Sequence, residues 1–380
     1  MASQCPESDV KFASDIEVMR HALQLARQGF GTVEPNPQVG AVIVSPQREW
    51  IAEGYHQVFG GPHAEIHAIQ NAASRTQGQD LFVTLEPCSH FGKTPPCVQA
   101  VLAAGFRRVV VGCQDPAPHV AGRGLQQLRD AGVEVQVGVC EDEAAALIAP
   151  FRKHILQQSP WVHAKWAMTL DGRIAARSGH SKWISCEQSR AVVHALRGRV
   201  EAIITGAGTL RQDDPLLTAR PPGPRVPLRV LIDSRGTALN PQSQLLRTLA
   251  DAPVLVCVAQ GCTTEQQAFL EGVGVEVLRT DGVDCVQIDQ VLQELGRRRM
   301  THVLLESGPR LMGAFFDQGL IDEVHVFVAP KIVGGDAALS PIGGQGLAQI
   351  PRDLSLSAIV QRTCGSDVLI EGRLRHGDAT

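Results

Sequence analysis

Between residues 14 and 329, short aliphatic and β-branched runs alternate with capped or amphipathic stretches, and this constrains the fold more than any other feature. Such alternation is the pattern of a layered α/β architecture. Ser14-Asp15-Ile16-Glu17 reads as a capping box opening a helix with Ile16, Met19, Leu23 and Ala26 on one face. Strands are predicted at Val39–Ser45 and Ile51–His56, a helix from about His63, and a strand at Leu81–Glu86. A helix after Pro95-Pro96, a strand at Arg108–Gly112, a helix near Gly124–Ala131 and a strand at Val133–Val137 follow. A helix-like stretch, Glu141 to Gln158, ends at Ser159-Pro160, where proline favours a stop. Beyond it, strands are expected at Trp161–Met168, Val200–Thr205, Arg229–Asp233, Val254–Val258, His302–Glu306 and Val324–Ala329. Helices are expected at Glu187–Arg197, Glu265–Leu270, Val286–Arg299 and Pro309–Gln318. The 380 residues therefore divide into a domain over 1–150, a linker over 151–160 and a domain over 161–380.

Charge separates the two parts. Residues 1–150 hold 10 basic and 16 acidic side chains, and residues 151–380 hold 25 and 23, so a net charge of −4 averages −6 and +2. Neither value suits a protein that coats a polyanion, and 4% aromatics leave little from which to build base-stacking platforms. No apolar run approaches the roughly 18 residues that span a bilayer. MASQCPESDVKF lacks a basic and an apolar signal region, so a cytoplasmic location is expected, with no membrane and no nucleic acid as partners. Eight of the ten cysteines are scattered (Cys5, Cys113, Cys140, Cys186, Cys257, Cys262, Cys285, Cys364), and most of them read as small buried hydrophobes.

Cys88 and Cys97 differ. With His63-Ala64-Glu65 they offer one imidazole and two thiolates, three ligands of a tetrahedral zinc ion that leave a fourth position for water. Glu65 is placed to move protons rather than to bind metal. The combination matches the nucleobase-deaminase signature except that eight residues, not two, separate the cysteines. A structural four-ligand site using His67, one turn after His63, stays open at this point. A zincin helix does not, because its Glu directly follows the first His; here it stands one position later, about 100° round the helix.

Several segments resemble the RibD family of bifunctional riboflavin-biosynthesis enzymes. They are Pro35-Asn36-Pro37 with Val39-Gly40-Ala41-Val42, Gly54-Tyr55-His56, Pro62-His63-Ala64-Glu65, and the run from Thr84-Leu85-Glu86-Pro87-Cys88 through Ser89-His90-Phe91-Gly92-Lys93 to Thr94-Pro95-Pro96-Cys97. The long cysteine spacing is that family's own. The resemblance implies a cytidine-deaminase-like three-layer α/β/α domain in which His63, Cys88 and Cys97 hold zinc and Glu65 is the proton shuttle. Asn36, His56, His90 and Lys93 would line the pyrimidine and ribosyl-phosphate pocket. Two departures are Ala117, where the family has Asn in Asp-Pro-Asn-Pro, and Ile148 for a common Asn; neither touches the metal set.

The second part has no complete Gly-x-Gly-x-x-Gly, since Arg211 stands where the third glycine would be. Gly206-Ala207-Gly208 and Gly308-Pro309 are glycine turns after strands, able to offer backbone N–H groups to phosphate. Lys165-Trp166-Ala167-Met168-Thr169-Leu170-Asp171-Gly172-Arg173, Ser181-Lys182-Trp183-Ile184, Asp213-Asp214-Pro215-Leu216-Leu217-Thr218, Ile232-Asp233-Ser234 and Glu306-Ser307-Gly308-Pro309 resemble the same family's reductase domain, in order. This implies a dihydrofolate-reductase-like α/β fold. NADPH would be contacted by Ala167, Trp183, Thr209, Asp213 and Ser234, and by Gly308, Pro309, Arg310, Leu311, Met312, Gly313 and Ala314. The ribosylamino-pyrimidine substrate would meet Ser181, Arg197, Leu217, Arg220 and Glu306, with Arg197 and Arg220 suited to a phosphate.

The resemblance thus implies a zinc-dependent deamination followed by an NADPH-dependent reduction, both on a small phosphorylated pyrimidine, by a homo-oligomer, dimer or tetramer. A nucleic-acid deaminase with an attached binding domain is opposed by the −6 charge. A non-catalytic zinc-stabilised binding protein is separated from these readings by turnover.

Overall fold

The computed structural model describes residues 10–90, 95–117, 121–351 and 355–375, and the chain divides into two units, 1–158 and 159–380. In the first unit α1 (Asp15–Ala26) is followed by β1 (Gly40–Val44), β2 (Trp50–Tyr55), α2 (Ala64–Ala72), β3 (Asp80–Leu85) and α3 (Cys97–Ala103). Then come β4 (Arg108–Cys113), α4 (Arg123–Asp130), β5 (Glu134–Val137), α5 (Glu141–Leu147) and α6 (Ala149–Gln157). The sheet order is β2-β1-β3-β4-β5, antiparallel at β2-β1-β3 and parallel from β3 to β5.

Two glycines show how the layers form. A Cβ at Gly40 would lie 2.1 Å from the Ala22 carbonyl oxygen, and one at Gly54 would lie 2.5 Å from the Ala68 nitrogen. Gly40 pairs with Tyr55 and Gly54 with Ala41, so these glycines sit on opposite faces of the sheet. Helix α1 therefore closes on one face and α2 on the other, at a distance only glycine permits. Gly112, against Ala144 of α5, belongs to the α1 face; Gly124 of α4 packs near Val98 of α3. The result is three layers around a core of Met19, Leu23, Ile43, Phe82, Val83 and Val110.

Three expectations need adjusting. Ile16 is 49% exposed, and the buried stripe of α1 is instead Val18, Met19, Ala22, Leu23, Leu25 and Ala26. Ser14 Oγ accepts from Glu17 N (3.3 Å), but the Glu17 carboxylate returns to Ala13 N (2.7 Å) rather than to Ser14. The stretch 141–158 is two helices meeting at Ile148, because Pro150 lacks the N–H that a continuous helix would use and instead starts α6. Most of the predicted linker is accordingly helix.

The second unit runs β6 (Trp161–Thr169), α7 (Glu187–Arg197), β7 (Ala202–Gly206), α8 (Ala207–Asp213), β8 (Leu228–Ile232), α9 (Gln244–Arg247), β9 (Val254–Val258) and α10 (Thr264–Gly272). It continues β10 (Glu276–Arg279), α11 (Ile288–Arg297), β11 (His302–Leu305), α12 (Pro309–Asp317), β12 (Glu323–Ala329), β13 (Leu356–Cys364) and β14 (Asp367–Leu374). Nine strands lie in the order β10-β9-β8-β7-β11-β6-β12-β14-β13, parallel as far as β12 and antiparallel thereafter. Strands β10, β13 and β14 and helices α8 and α9 were not anticipated. One face of β6, β11 and β12 (Val162, Ala164, Val303, Leu305, Val324, Val326) packs on Val291, Leu295, Met312 and Phe315 of α11 and α12. By strand alternation, Trp161, His163 and Lys165 point to the other face.

Candidate active sites

In the first unit, three chain segments bring the predicted metal set together. His63 is the residue just before α2, Cys97 is the first residue of α3, and Cys88 follows β3 by three positions. His63 Nδ1 lies 3.2 Å from Cys97 Sγ and 3.6 Å from Cys88 Sγ, and the three donor atoms lie within 4.8 Å of one another. Zn–S and Zn–N bonds of about 2.3 and 2.0 Å around a tetrahedral ion require ligand atoms about 3.5–3.8 Å apart, so the set fits zinc with little adjustment. The Cys97 N–H donates to Cys88 Sγ (3.3 Å). The Cys97 thiol first, then His63 and that backbone bond, lower the Cys88 thiol against its burial, while the Cys97 thiol is pushed up by Cys88 and by burial. His67 is not part of the metal group, which favours a three-ligand centre over the four-ligand alternative.

Glu65, on the first turn of α2, is 3% exposed, and burial raises its carboxyl to about 7. A group poised there can both accept and release a proton near neutrality. His56 donates Nδ1–H to the Pro62 carbonyl (3.0 Å), which leaves Nε2 to accept from Asn36 Nδ2 (3.3 Å). Burial depresses His56, and its ring stands edge-on to His63 at 5.1 Å. Asn36 and His56 thus adjoin the centre. His90 is exposed, and Lys93 lies outside the described residues.

Glu86 was read only as part of a motif. It is 4% exposed and accepts from the backbone N–H groups of Asp115 (3.3 Å), Gly122 (2.9 Å) and Gly124 (3.0 Å). It anchors the segment preceding α4 to the strand end that bears Cys88. Ala117 is buried there, with its N–H on Asp115 Oδ1 (2.8 Å), and Ile148 fills the core between α5 and α6.

The second unit holds an ion-paired cleft. Arg197, the last residue of α7, donates Nε and Nη2 to the two oxygens of Glu306 (2.6 and 2.9 Å), just after β11. Lys165 of β6 adds its ammonium at 3.7 Å. Burial would raise Glu306, but Arg197 and then Lys165 overrule it and hold the carboxyl at about 2. Arg197, expected to clamp phosphate, is therefore already engaged by Glu306, and the two expected substrate contacts face each other. Lys165 was quoted within a motif but not singled out; its place on the Glu306 side of the sheet identifies it only after folding. Arg220 stays more open, donating Nη1 to Thr218 Oγ1 (3.1 Å). Leu217 is buried with φ 54°, a left-handed backbone that sets the direction of Thr218 and Arg220.

The expected cofactor residues gather around the C-terminal ends of β7 and β11, where open α/β sheets bind ligands. Gly308, capping α12, donates its N–H to Thr209 Oγ1 (3.0 Å) of α8. Buried Thr205 Oγ1 and Ser307 Oγ, next to the two glycine turns, have no hydrogen-bond partner among the described residues. Asp213 Oδ1 accepts from Ser181 Oγ (3.4 Å), and exposed Trp183 stacks under Arg190 at 4.7 Å. Ala167 lies on the Lys165 face, and Pro309, Arg310, Leu311 and Ala314 form the first turns of α12. The side chain of Met312 lies in the core, Gly313 faces the backbone of Gly343, and Ser234 Oγ accepts from Val286 N (3.2 Å).

Residues 13–113 match the cytidine and deoxycytidylate deaminase zinc-binding region, and residues 160–370 match the RibD C-terminal domain. The chain is 39% identical to the riboflavin biosynthesis protein RibD of Actinobacillus pleuropneumoniae over 376 residues, 98% of each chain. With the RibD of Aquifex aeolicus it shares 39% over 357 residues, 94% of this chain and 97% of that one. Among solved structures, it is similar to Acinetobacter baumannii RibD (TM-score 0.81, 35% identity, 95% of this chain and 99% of that one). It is also similar to a diaminohydroxyphosphoribosylaminopyrimidine deaminase/5-amino-6-(5-phosphoribosylamino)uracil reductase of Thermotoga maritima (TM-score 0.80, 35% identity, 95% and 98% covered).

Proposed function

The chain belongs to the RibD family, and from that membership we propose how its residues divide the two reactions of a bifunctional riboflavin-biosynthesis deaminase and reductase. Residues 1–150 deaminate 2,5-diamino-6-ribosylamino-4(3H)-pyrimidinone 5′-phosphate hydrolytically, taking up water and releasing ammonia. Residues 161–380 then reduce the ribosyl side chain to ribityl with NADPH. The observation that carries this reading is the convergence of His63, Cys88 and Cys97 beside a buried carboxyl raised to about 7.

His63, Cys88 and Cys97 would hold zinc, which in a three-ligand site lowers the pKa of water and so supplies a nucleophile at neutral pH. Glu65 takes a proton from the attacking water and delivers it to the departing amino nitrogen; a carboxyl near 7 does both without a large penalty in either direction. Asn36 and neutral His56 orient the ring, and His90 and Lys93 serve the ribosyl-phosphate end. In the second unit NADPH brings the reducing equivalent, and the protein positions it. Thr209, Asp213, Trp183 and the α12 turn would hold it along the C-terminal ends of β7 and β11, with Ser181, hydrogen-bonded to Asp213, on the substrate side. Arg220 receives the substrate phosphate. Glu306, fixed as a carboxylate by Arg197 and Lys165, accepts from ring or ribose donors.

A homo-oligomer in the cytoplasm completes the proposal. Strand β13 is a sheet edge with exposed Ile359 and Val360, and no described helix is long and apolar enough to cross a membrane. Sedimentation of the purified chain tests the first point. The functional test is a two-readout assay. Glu65→Ala should keep its zinc and lose ammonia release, yet still oxidise NADPH when given the deaminated intermediate. Arg220→Ala should show the opposite pattern. Normal ammonia release by Glu65→Ala would refute the shuttle.

A further inference from the structure

A second group of ligand-type side chains crosses four adjacent strands of the nine-stranded sheet. His302 lies on β11, His163 on β6, Glu323 and His325 on β12, and Glu371 on β14. The registers pair His302 with Trp161, Leu304 and Glu323 with His163, and His325 with both Lys165 and Glu371. All five side chains therefore share the face opposite the α11/α12 core. This group belongs to neither reaction described above.

Three of their atoms converge. His163 Nδ1 and His325 Nε2 are 3.2 Å apart, Glu323 Oε2 stands 3.8 Å from the first and Oε1 3.7 Å from the second, and one donor atom from each residue lies within 4.8 Å of the others. At that range the carboxylate hydrogen-bonds neither ring. The spacing is instead near that of ligands on one ion, since metal bonds of about 2.0–2.2 Å put tetrahedral neighbours about 3.3–3.6 Å apart. The surroundings orient each donor. His325 Nδ1 lies 2.9 Å from Glu371 Oε1, so it carries the hydrogen and leaves Nε2 a lone pair aimed at the convergence point. Glu371 is itself fixed by Arg362 Nε (3.2 Å). His163 Nε2 meets His302 Nδ1 at 3.0 Å, and Trp161 Nε1 donates to Glu323 Oε2 (3.1 Å). A ligating imidazole whose far nitrogen is held by a carboxylate or another ring is the arrangement of a metal site with its outer partners in place.

We propose that His163, Glu323 and His325 bind one zinc ion, oriented by Glu371 and His302, and that the ion ties β6 to β12. Two imidazoles and a carboxylate are a nitrogen-and-oxygen donor set that zinc accepts. In the bound form His163 donates Nε2–H to His302 Nδ1 and presents Nδ1 to the ion. The site lies toward the strand starts, roughly 13 Å along β6 from Ala167 at about 3.3 Å per residue, so its task is to join strands rather than to contact NADPH.

The test uses the untagged full-length chain carrying Cys88→Ser and Cys97→Ser, which removes the deaminase ligand set. After chelator treatment and dialysis against micromolar zinc, elemental analysis should find one zinc per chain, against two in the wild type. Adding His325→Gln should abolish it, and Glu371→Gln should weaken affinity 10- to 100-fold. Should His325→Gln fail to fold, cobalt loading of the double-cysteine variant decides. Visible d–d absorption without a sulfur-to-metal band supports the site. No zinc in the double-cysteine variant, a cobalt spectrum like that of the aqueous ion, or zinc content indifferent to His325→Gln in a folded chain overturns it.

Discussion

Replacing Glu306 with glutamine tests whether the reductase cleft is built around a counterion. In the wild type its carboxylate is only 10% exposed, receives two guanidinium hydrogen bonds and faces a partly buried ammonium. A carboxyl held at about 2 rather than 4.5 contributes ~3 kcal/mol of stability at neutral pH. Because the folded value is the lower one, this contribution is complete above about 4.5 and is lost as pH falls toward 2. Glu306→Gln removes it and also leaves Arg197 and Lys165 as neighbouring, partly buried cations, so the total loss should be about 3–5 kcal/mol. Urea unfolding at pH 7, followed by tryptophan fluorescence, reads this mainly from the second unit, which holds three of the four tryptophans, Trp161, Trp166 and Trp183. With a slope of roughly 1–3 kcal/mol/M, the transition of that unit should move by a molar or more. Added phosphate should restore part of the loss by supplying the missing anion, and the variant's decline between pH 4.5 and 2 should be shallower than the wild type's, with the remainder coming from Asp171 and Glu294, which are also held at about 2. An unchanged midpoint at pH 7, or an equally steep acid branch in both proteins, would refute the counterion argument.

Other consequences are as direct. Gly54→Ala would set a methyl 2.5–2.7 Å from Ala68 N, His67 Cβ and the Ala64 carbonyl, pushing α2 and Glu65 outward; ammonia release should fall while NADPH oxidation on deaminated intermediate persists. Glu86→Ala leaves three backbone N–H groups without their acceptor, and the first unit should lose several kcal/mol in thermal or chemical unfolding. Dialysis against a strong chelator should abolish ammonia release, with recovery on adding zinc; activity that survives complete zinc removal would contradict the metal assignment.

The metal centre was legible because its chemistry demands particular residue types: imidazole and thiolates at two helix starts and a strand end leave few substitutes. The cleft was not. Arg197 and Glu306 are 109 positions apart, and nothing local in α7 says that the arginine will meet a carboxylate rather than a phosphate. Lys165 was hidden for a related reason, since one lysine in a strand reads as the polar half of an alternation. Most strands followed from apolar runs, but β13 (LSAIVQRTC) is an edge whose middle is exposed on both faces, so its composition carries no burial pattern. Ile16 misled because a helix face is defined by what packs on it, and in the first turn of α1 that side chain is left half exposed. Pro150 signals the break at Ile148 in retrospect, where the helical pattern on either side masked it.

The position of β6 also bears on how the protein is made. It is the first strand of its unit to leave the ribosome, yet it lies between β11 and β12, and its partner for Trp161 is His302, 141 residues later. At 5–20 residues per second, β6 waits roughly 7–30 s for that neighbour, with Trp161, Val162 and Trp166 uncovered in the meantime. The first unit has no such delay, because its last strand ends at Val137, before β6 is made. Synthesis therefore delivers a finished deaminase unit while the reductase unit is still an open chain. Slow translation or heat during that interval should cost the cell reductase before it costs deaminase.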